Sequence, residues 1–434
     1  MTSFGTATPY AAYVATLEGL AEDVRAGRAD PRKLAAALDG EAAAEVRRLL
    51  PLDYRREVGA FFTNSSVRAI VTALLREHGR PPYFDAACGA GDLLLAAAET
   101  LPRPVATPEL LLAWSTALRG TDLHPEFVAA TRARLWLAAV AGTPASGGVP
   151  DPKMAFAGVG TGDGIDALRA CAPPPQTVVL NPPFGAEPAL AKCSWGTGMV
   201  PRAGRFTEQV VIAMRPGTTL VAVLPDVLRT GARLARWRAV IEQHLDIREV
   251  RRIGLFDAHT AVDVFALVGV RRSAPAATQS PVAWWPGATA TRRAATVGDR
   301  FEVNVGAVVD NRDAHVGPIR AFVVARGLPS GGRVTRIAGR RRFAGRVFAP
   351  PFVLVRRTNA PSRGLPRARG VLVTGKRRVA VDNHLLVLSP RSGQLADCEE
   401  LLDVLERPAT TTWLNERIRC RHLTVGALRE VRWG

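Results

Sequence analysis

The sequence predicts an α/β protein in three parts. A parallel sheet with helices on both faces is expected over residues 59–272, after a helical segment at 1–58. A linker at 273–300 leads to a basic, mixed α+β domain at 301–434. Two observations predict the sheet. Short apolar runs alternate with helical patterns between residues 82 and 270, and such alternation builds parallel sheets. Several of these runs also end in glycine or acid, as strands do where they enter turns. The third observation divides the chain: residues 273–300 are rich in Pro, Ala and Thr, and the basic excess lies beyond them.

Residues 10–58 are rich in Ala, Leu, Glu and Arg with apolar residues at helical spacing. PYFDAACGAGD (82–92) reads as a strand entering a Gly-rich turn, and DLLLAAAETL as the helix after it. LRGTDLHPEF (118–127) is a second strand and turn, followed by a helix through Leu137. KMAFAGVGTGDGID supplies the third strand and TVVLNPPF the fourth. TTLVAVLP and DVFALVGVRR are two more, separated by the helical RLARWRAVIEQHL.

The 434 residues are 47% hydrophobic, enough to bury a core and too many for a disordered chain. No apolar run approaches the roughly 18 residues of a membrane span, and the start of the chain lacks the pattern of a signal peptide. A cytoplasmic protein with no membrane partner is expected. The five cysteines form no CxxC pair, which argues against a disulfide framework and structural zinc. Cys420 and His422 lie two apart, but two ligands do not make a metal site.

The net charge of +18 is uneven. Residues 301–434 hold 24 basic and 11 acidic side chains; between Asp313 and Asp382 there are 16 Lys or Arg and no acid. A GC-rich genome would explain Arg over Lys but not the missing acids. A surface of this kind attracts polyanions.

Ligands of open α/β sheets bind beyond the carboxyl ends of the strands. Here those ends supply a consistent set. Asp85, Ala87, Gly89 and Gly91 form the first turn, where glycines let backbone approach a ligand and the following helix N-terminus favours a negative group. Asp122 ends the second strand and is suited to ribose hydroxyls. Asp163, in Gly162-Asp163-Gly164, is placed to accept from an adenine amino group. The fourth strand stops at Asn181-Pro182-Pro183-Phe184: an amide, two rigid rings and an aromatic expected at the surface.

With NPPF in place, the chain resembles the S-adenosylmethionine-dependent N6-adenine DNA methyltransferases, of the circular order in which target recognition follows catalysis. The resemblance runs from about Gly59 to Arg272. GAFFTNSSV (59–67) is similar to the family's cofactor motif and points to Phe62 and Thr63. DAACGAG is similar to its Gly-rich turn, except that Ala86 stands where the family usually has Pro. NPPF matches its catalytic motif.

The resemblance implies a Rossmann-like methyltransferase sheet and S-adenosylmethionine as cofactor. It also implies that the Asn181 side-chain oxygen and the Pro182 carbonyl accept from the adenine amino group, localising its lone pair. Phe184 is then expected to stack on a flipped-out base and Phe256 to face the base's other side, although Phe256 reads equally well as a core residue. Phe206 resembles a position that packs on the cofactor adenine.

Residues 186–205 read equally as a mobile loop beside the site or a plain surface loop. RCRHLTVGALREV (419–431) resembles C-terminal segments of the family more loosely. Arg340, Arg341, Arg342, Arg356, Arg357, Lys376, Arg377 and Arg378 are candidate DNA contacts. The family's usual setting is restriction–modification or phage defence, so a specificity or nuclease subunit is a conceivable partner. Methylation of RNA or protein glutamine stays open, as does a non-catalytic DNA-binding subunit.

Overall fold

The structure, a computed structural model, describes residues 9–59, 63–103, 107–141, 151–152, 154–191, 193–256, 262–275, 282–285, 295–358, 365–418 and 422–434. The chain divides between residues 282 and 283 into two compact units.

The first unit is built on a seven-stranded, Rossmann-like sheet. Its strands are β1 (Tyr83–Asp85), β2 (Leu118–Asp122), β3 (Val159–Thr161), β4 (Thr177–Leu180), β7 (Thr219–Pro225), β8 (Leu245–Leu255) and β9 (Asp263–Arg271). A separate hairpin, β5 (Ala186–Pro188) and β6 (Met199–Pro201), interrupts the count. The order is β3-β2-β1-β4-β7-β9-β8. Pairings from β3 to β7 are parallel, and those of β9 with β7 and β8 are antiparallel.

The chain moves one way from β1 to β2 and β3, then returns to place β4 and β7 on the other side of β1. With right-handed crossovers, such a reversal puts helices on both faces and opens a crevice at the switch point. The turns after β1 and β4 flank that crevice. All four residues of β4 are buried, as expected for a strand covered on both faces.

The N-terminal helices are Ala11–Arg25, Pro31–Leu38, Glu41–Leu49 and Leu52–Val58. The first buries Tyr13, Leu17, Leu20 and Ala21, one helical face. It packs on helix Pro125–Val140, where Tyr10 meets Phe127 edge-on at 5.1 Å.

Three local expectations change. LDIREVRRIGL (245–255), unassigned from sequence, is the edge strand β8. Its mixed exposure and many charges hide the alternation a half-buried strand would show. Residues Thr107–Ala117 form an additional helix. The third strand is confined to Val159–Thr161.

The second unit is the expected mixed α+β domain. Its five-stranded sheet, β10-β17-β14-β15-β12, uses β10 (Phe301–Val305), β12 (Gly332–Val334), β14 (Phe352–Arg356), β15 (Gly370–Val373) and β17 (Leu385–Pro390). A three-stranded sheet, β13-β11-β16, uses β11 (Ile319–Val323), β13 (Arg340–Arg342) and β16 (Val379–Val381). Helix Leu395–Glu406 covers the larger sheet through Cys398, Leu401 and Leu405. Thr296 and Val297, placed in the linker from sequence, belong to this unit: Thr296 bridges to Arg432 and Val297 enters the core. Among the described residues, no helix is long and apolar enough to cross a membrane.

Candidate active site

One pocket at the switch point gathers most of the expected residues. Its lining includes Thr63, Asp85, Ala87, Gly89, Asp122, Asp163, Asn181 and Phe206. These residues come from six places in the sequence. Phe62 lies outside the described residues. Gly91 is not in the lining; it is packed over Thr131.

The Gly-rich turn and the Asp122 carboxylate position one another. Asp122 Oδ2 accepts from the Gly89 N–H at 3.0 Å, and Oδ1 accepts from the His124 N–H at 3.0 Å. The His124 ring also touches Oδ1 through Nδ1, at 3.0 Å. A carboxylate has about four lone-pair sites, so with three of them engaged its orientation is fixed while one site on Oδ2 is left for a hydroxyl donor. His124, Leu123 and Phe127 also line the pocket, and sequence reasoning missed them. Their signal was adjacency: all lie within five residues of Asp122.

Asp163 has a second duty. Its Oδ1 caps helix Gly164–Ala170, accepting from Ile165 N–H at 2.8 Å and Asp166 N–H at 3.1 Å. The other carboxylate oxygen remains for a ligand. Gly164 is required by contact: a Cβ there would lie 1.8 Å from the Ala86 carbonyl oxygen. The turns after β1 and β3 therefore touch, and Ala86 occupies a crowded position.

Asp85 is 1% exposed and accepts from the Ala87 N–H at 3.0 Å. Burial pushes its carboxyl up to about 8, and the nearby Asp122 and Asp92 push the same way. The negative group expected at the next helix N-terminus is supplied by the protein itself. Asp92 opens helix Asp92–Ala98 and pairs with the buried Arg134 at 2.9 Å.

Asn181 leaves β4 at the other side of the crevice. Its Nδ2 donates to Thr63 Oγ1 at 3.1 Å, which turns Oδ1 onto the opposite limb of the amide. Thr63, expected beside the cofactor, thus also orients Asn181. Gly59 (φ +73°) lies against the motif: a Cβ there would sit 2.3 Å from the Pro183 Cβ. Asn64 accepts from Val67 N–H at 2.9 Å, capping helix Ser65–His78, and donates to the Phe256 carbonyl.

Phe184 is not the surface aromatic that the sequence suggested. It is 6% exposed, and its ring meets Phe256 at a centroid distance of 5.4 Å and 62° between planes. Phe256 is itself fully buried. The two aromatics are brought together, as neighbours, with no base-width gap between them. The stretch 186–205, expected to be a mobile or a plain surface loop, holds regular structure at both ends: Ala186–Pro188 pairs with Met199–Pro201 as the β5–β6 hairpin, and helix Arg202–Ala213 follows. Trp195 is buried, and its Nε1 donates to Glu208 Oε2 at 2.7 Å.

The basic candidates of the second unit separate by environment. Arg340, Arg342, Lys376, Arg377 and Arg378 are exposed. Arg341, on the opposite face of β13, is 3% exposed; it pairs with Asp310, donates to the Asp313 carbonyl and lies 5.5 Å over Phe322. Arg356 is partly buried and donates to the Leu328 carbonyl, and Arg357 is partly buried. Arg341 and Arg356 therefore hold the domain together in ways a surface phosphate contact would not.

No protein-family profile matches the chain, and no curated protein matches it. Solved structures do. One, from Listeria monocytogenes, is assigned to the class I S-adenosylmethionine-dependent methyltransferases; it is 17% identical at a TM-score of 0.38, over 60% of this chain and 81% of that one. A modification subunit assigned to a type I restriction enzyme of Vibrio vulnificus is 18% identical at 0.39, over 54% and 49%. The type IIG restriction endonuclease BpuSI is 13% identical at 0.44, over 90% and 60%. The match spans about half the length of the second protein and three fifths of the third.

Proposed function

We propose that the protein transfers a methyl group from S-adenosylmethionine to the N6 amino group of an adenine in DNA, at a specific sequence and within a restriction–modification or phage-defence system. The observation that carries this reading is the shared pocket: Asn181 at the end of β4 lines the same cavity as Asp85, Asp122 and Asp163.

The lining fits the cofactor. The Gly-rich turn lines the pocket at a point crowded enough to require Gly164, Asp122 is oriented to accept from a ribose hydroxyl, and Asp85 can meet an ammonium. S-adenosylmethionine brings a methyl group already activated by its sulfonium, so the chain need supply no covalent nucleophile. Asn181, held by Thr63, presents Oδ1 to one amino hydrogen, and the Pro182 carbonyl accepts the other. Two such bonds localise a lone pair otherwise delocalised into the ring. Pro182 and Pro183 restrict the backbone that carries this carbonyl. Phe184 stacks on the base.

The exposed basic side chains of Arg340, Arg342, Lys376, Arg377 and Arg378 are the proposed phosphate contacts and favour DNA as substrate. The buried Arg341 and the partly buried Arg356 add little to that grip. An RNA or protein-glutamine substrate would use the same pocket chemistry without needing a basic domain of this size.

Incubating purified protein with radiolabelled S-adenosylmethionine and unmodified genomic DNA, RNA or protein tests the reading. Label in DNA as N6-methyladenine is expected. Label in RNA or protein alone would replace the substrate, and absence of cofactor binding would favour a non-catalytic DNA-binding subunit. A specificity subunit, if required, would appear as DNA labelling only in cell extract.

A further inference from the structure

Arg134, in helix Pro125–Val140, is fully buried, and its guanidinium is shared between two parts of the unit. Toward the N-terminal segment, Nε donates to the Ala37 carbonyl at 2.7 Å and Nη2 to the Leu38 carbonyl at 3.4 Å. Toward the pocket, Nη1 donates to the Ala90 carbonyl at 2.6 Å and Nη2 pairs with Asp92 at 2.9 Å. Ala90 belongs to the Gly-rich turn, and Asp92 lines the pocket.

A second arginine reaches the same helix end. Arg68 donates to the Leu38 carbonyl and lies 3.5 Å from Asp39 and 3.6 Å from Glu99. It sits on helix Ser65–His78, whose N-terminus carries Thr63 and Asn64 against Asn181 and Phe256. The last carbonyls of a helix lack intrahelical partners. In helix Pro31–Leu38 the last two, those of Ala37 and Leu38, are taken by Arg134 and Arg68, although residues 31–39 do not themselves line the pocket.

We propose that the C-terminal end of helix Pro31–Leu38 anchors the Gly-rich turn, with Arg134 as the positioning residue, so that the N-terminal segment and the pocket order together. The proposal rests on the cofactor reading of that pocket. Coupling between two sites is reciprocal: if an ordered segment favours ligand binding, the ligand must order the segment. Arg is suited to the role because its planar fork serves several acceptors at once. Lysine keeps the charge beside Asp92 but loses the fork.

The test is hydrogen exchange read by mass spectrometry on the full chain, with and without S-adenosylmethionine. In the unmodified protein, the cofactor is expected to raise protection at residues 89–95 and, without touching them, at residues 34–39. Arg134→Lys is expected to weaken cofactor affinity about tenfold, within the usual range of site-to-site coupling. It should keep protection at 89–95 at saturating cofactor and lose it at 34–39. Protection at 89–95 alone in the unmodified protein overturns the proposal, with no variant required. So does an Arg134→Lys protein that keeps the full coupling. If cofactor protects nothing, the pocket reading fails and this inference falls with it, an outcome distinct from the other two.

Discussion

Replacing Asp85 with Asn tests the buried acid at the centre of the candidate site. Asp85 is 1% exposed, and burial, with help from Asp122 and Asp92, pushes its carboxyl up to about 8. In the unfolded chain it titrates near about 3.9. Between those values the folded protein holds a proton that the unfolded chain has lost. Stability should therefore be full below about pH 4, fall as pH rises, and level off above about pH 8. At about 1.4 kcal/mol per pH unit, the cost at pH 7 is up to about 4 kcal/mol.

Asn is an isostere of the protonated acid, and its Oδ1 can still accept from the Ala87 N–H. The stability of Asp85→Asn should match the original near pH 4, and its advantage should widen by up to about 1.4 kcal/mol per unit between pH 5 and 7. Urea denaturation at pH 5, 6, 7 and 8 measures it. A constant gap across that range would refute the buried, protonated carboxyl. The same proton bears on the ligand. An ammonium bound against Asp85 would ionise it, so cofactor binding at pH 7 should release close to one proton and tighten between pH 6 and 8. Calorimetry in buffers of different ionisation enthalpy reads that release; its absence would separate Asp85 from the ammonium.

Three further outcomes are expected. Asn181→Ala should lower methyl transfer by about 10² to 10³, the usual cost of one positioned hydrogen-bond partner, while calorimetry finds cofactor affinity nearly unchanged. Gly59→Ala places a Cβ 2.3 Å from the Pro183 Cβ at a positive φ. Displacing the motif by about 1 Å should cost up to about 10² in turnover, and steady-state kinetics showing wild-type turnover would mean the loop yields freely. In the second unit, replacing Arg340, Arg342, Lys376, Arg377 and Arg378 together should flatten the plot of log K against log salt by up to about 4.5 units, at about 0.9 per phosphate contact. Arg341→Ala should leave that slope alone and lower the melting temperature.

Much of this site was legible because strand ends punctuate themselves. TVVL is a buried run closed by Asn181-Pro182, β1 and β2 end in Asp85 and Asp122, and Gly162-Asp163 follows β3. What escaped was set by partners distant in sequence. β8 reads as charged and irregular because it is an edge strand, where solvent relaxes the apolar alternation. Arg341 reads like its neighbours; only strand geometry turns it to the opposite face, and its partner Asp310 lies 31 residues away. Phe184 looked exposed because NPPF ends a strand, and nothing local announced that Phe256 would cover it.

That covered pair shapes how the proposed reaction would begin. Stacked bases rise about 3.4 Å per step, so a base held between two rings needs them parallel and about 7 Å apart. Phe184 and Phe256 stand 5.4 Å apart at 62°. The slot is filled by its own walls, and base entry must part and rotate them, forfeiting about 0.5–1.5 kcal/mol of aromatic contact. Both sides of the pair are anchored through the backbone. Phe256 is held by its N–H on the Val262 carbonyl at 2.8 Å and by its carbonyl on Asn64. Phe184 follows two prolines and is succeeded by Gly185, whose φ is +118°. The Gly185 carbonyl accepts from the Arg202 N–H at 3.0 Å, so the backbone beside each ring is tied into the fold. Asn181, just before the two prolines, and the carbonyl of Pro182, the first of them, can then keep their acceptors in place while the slot opens.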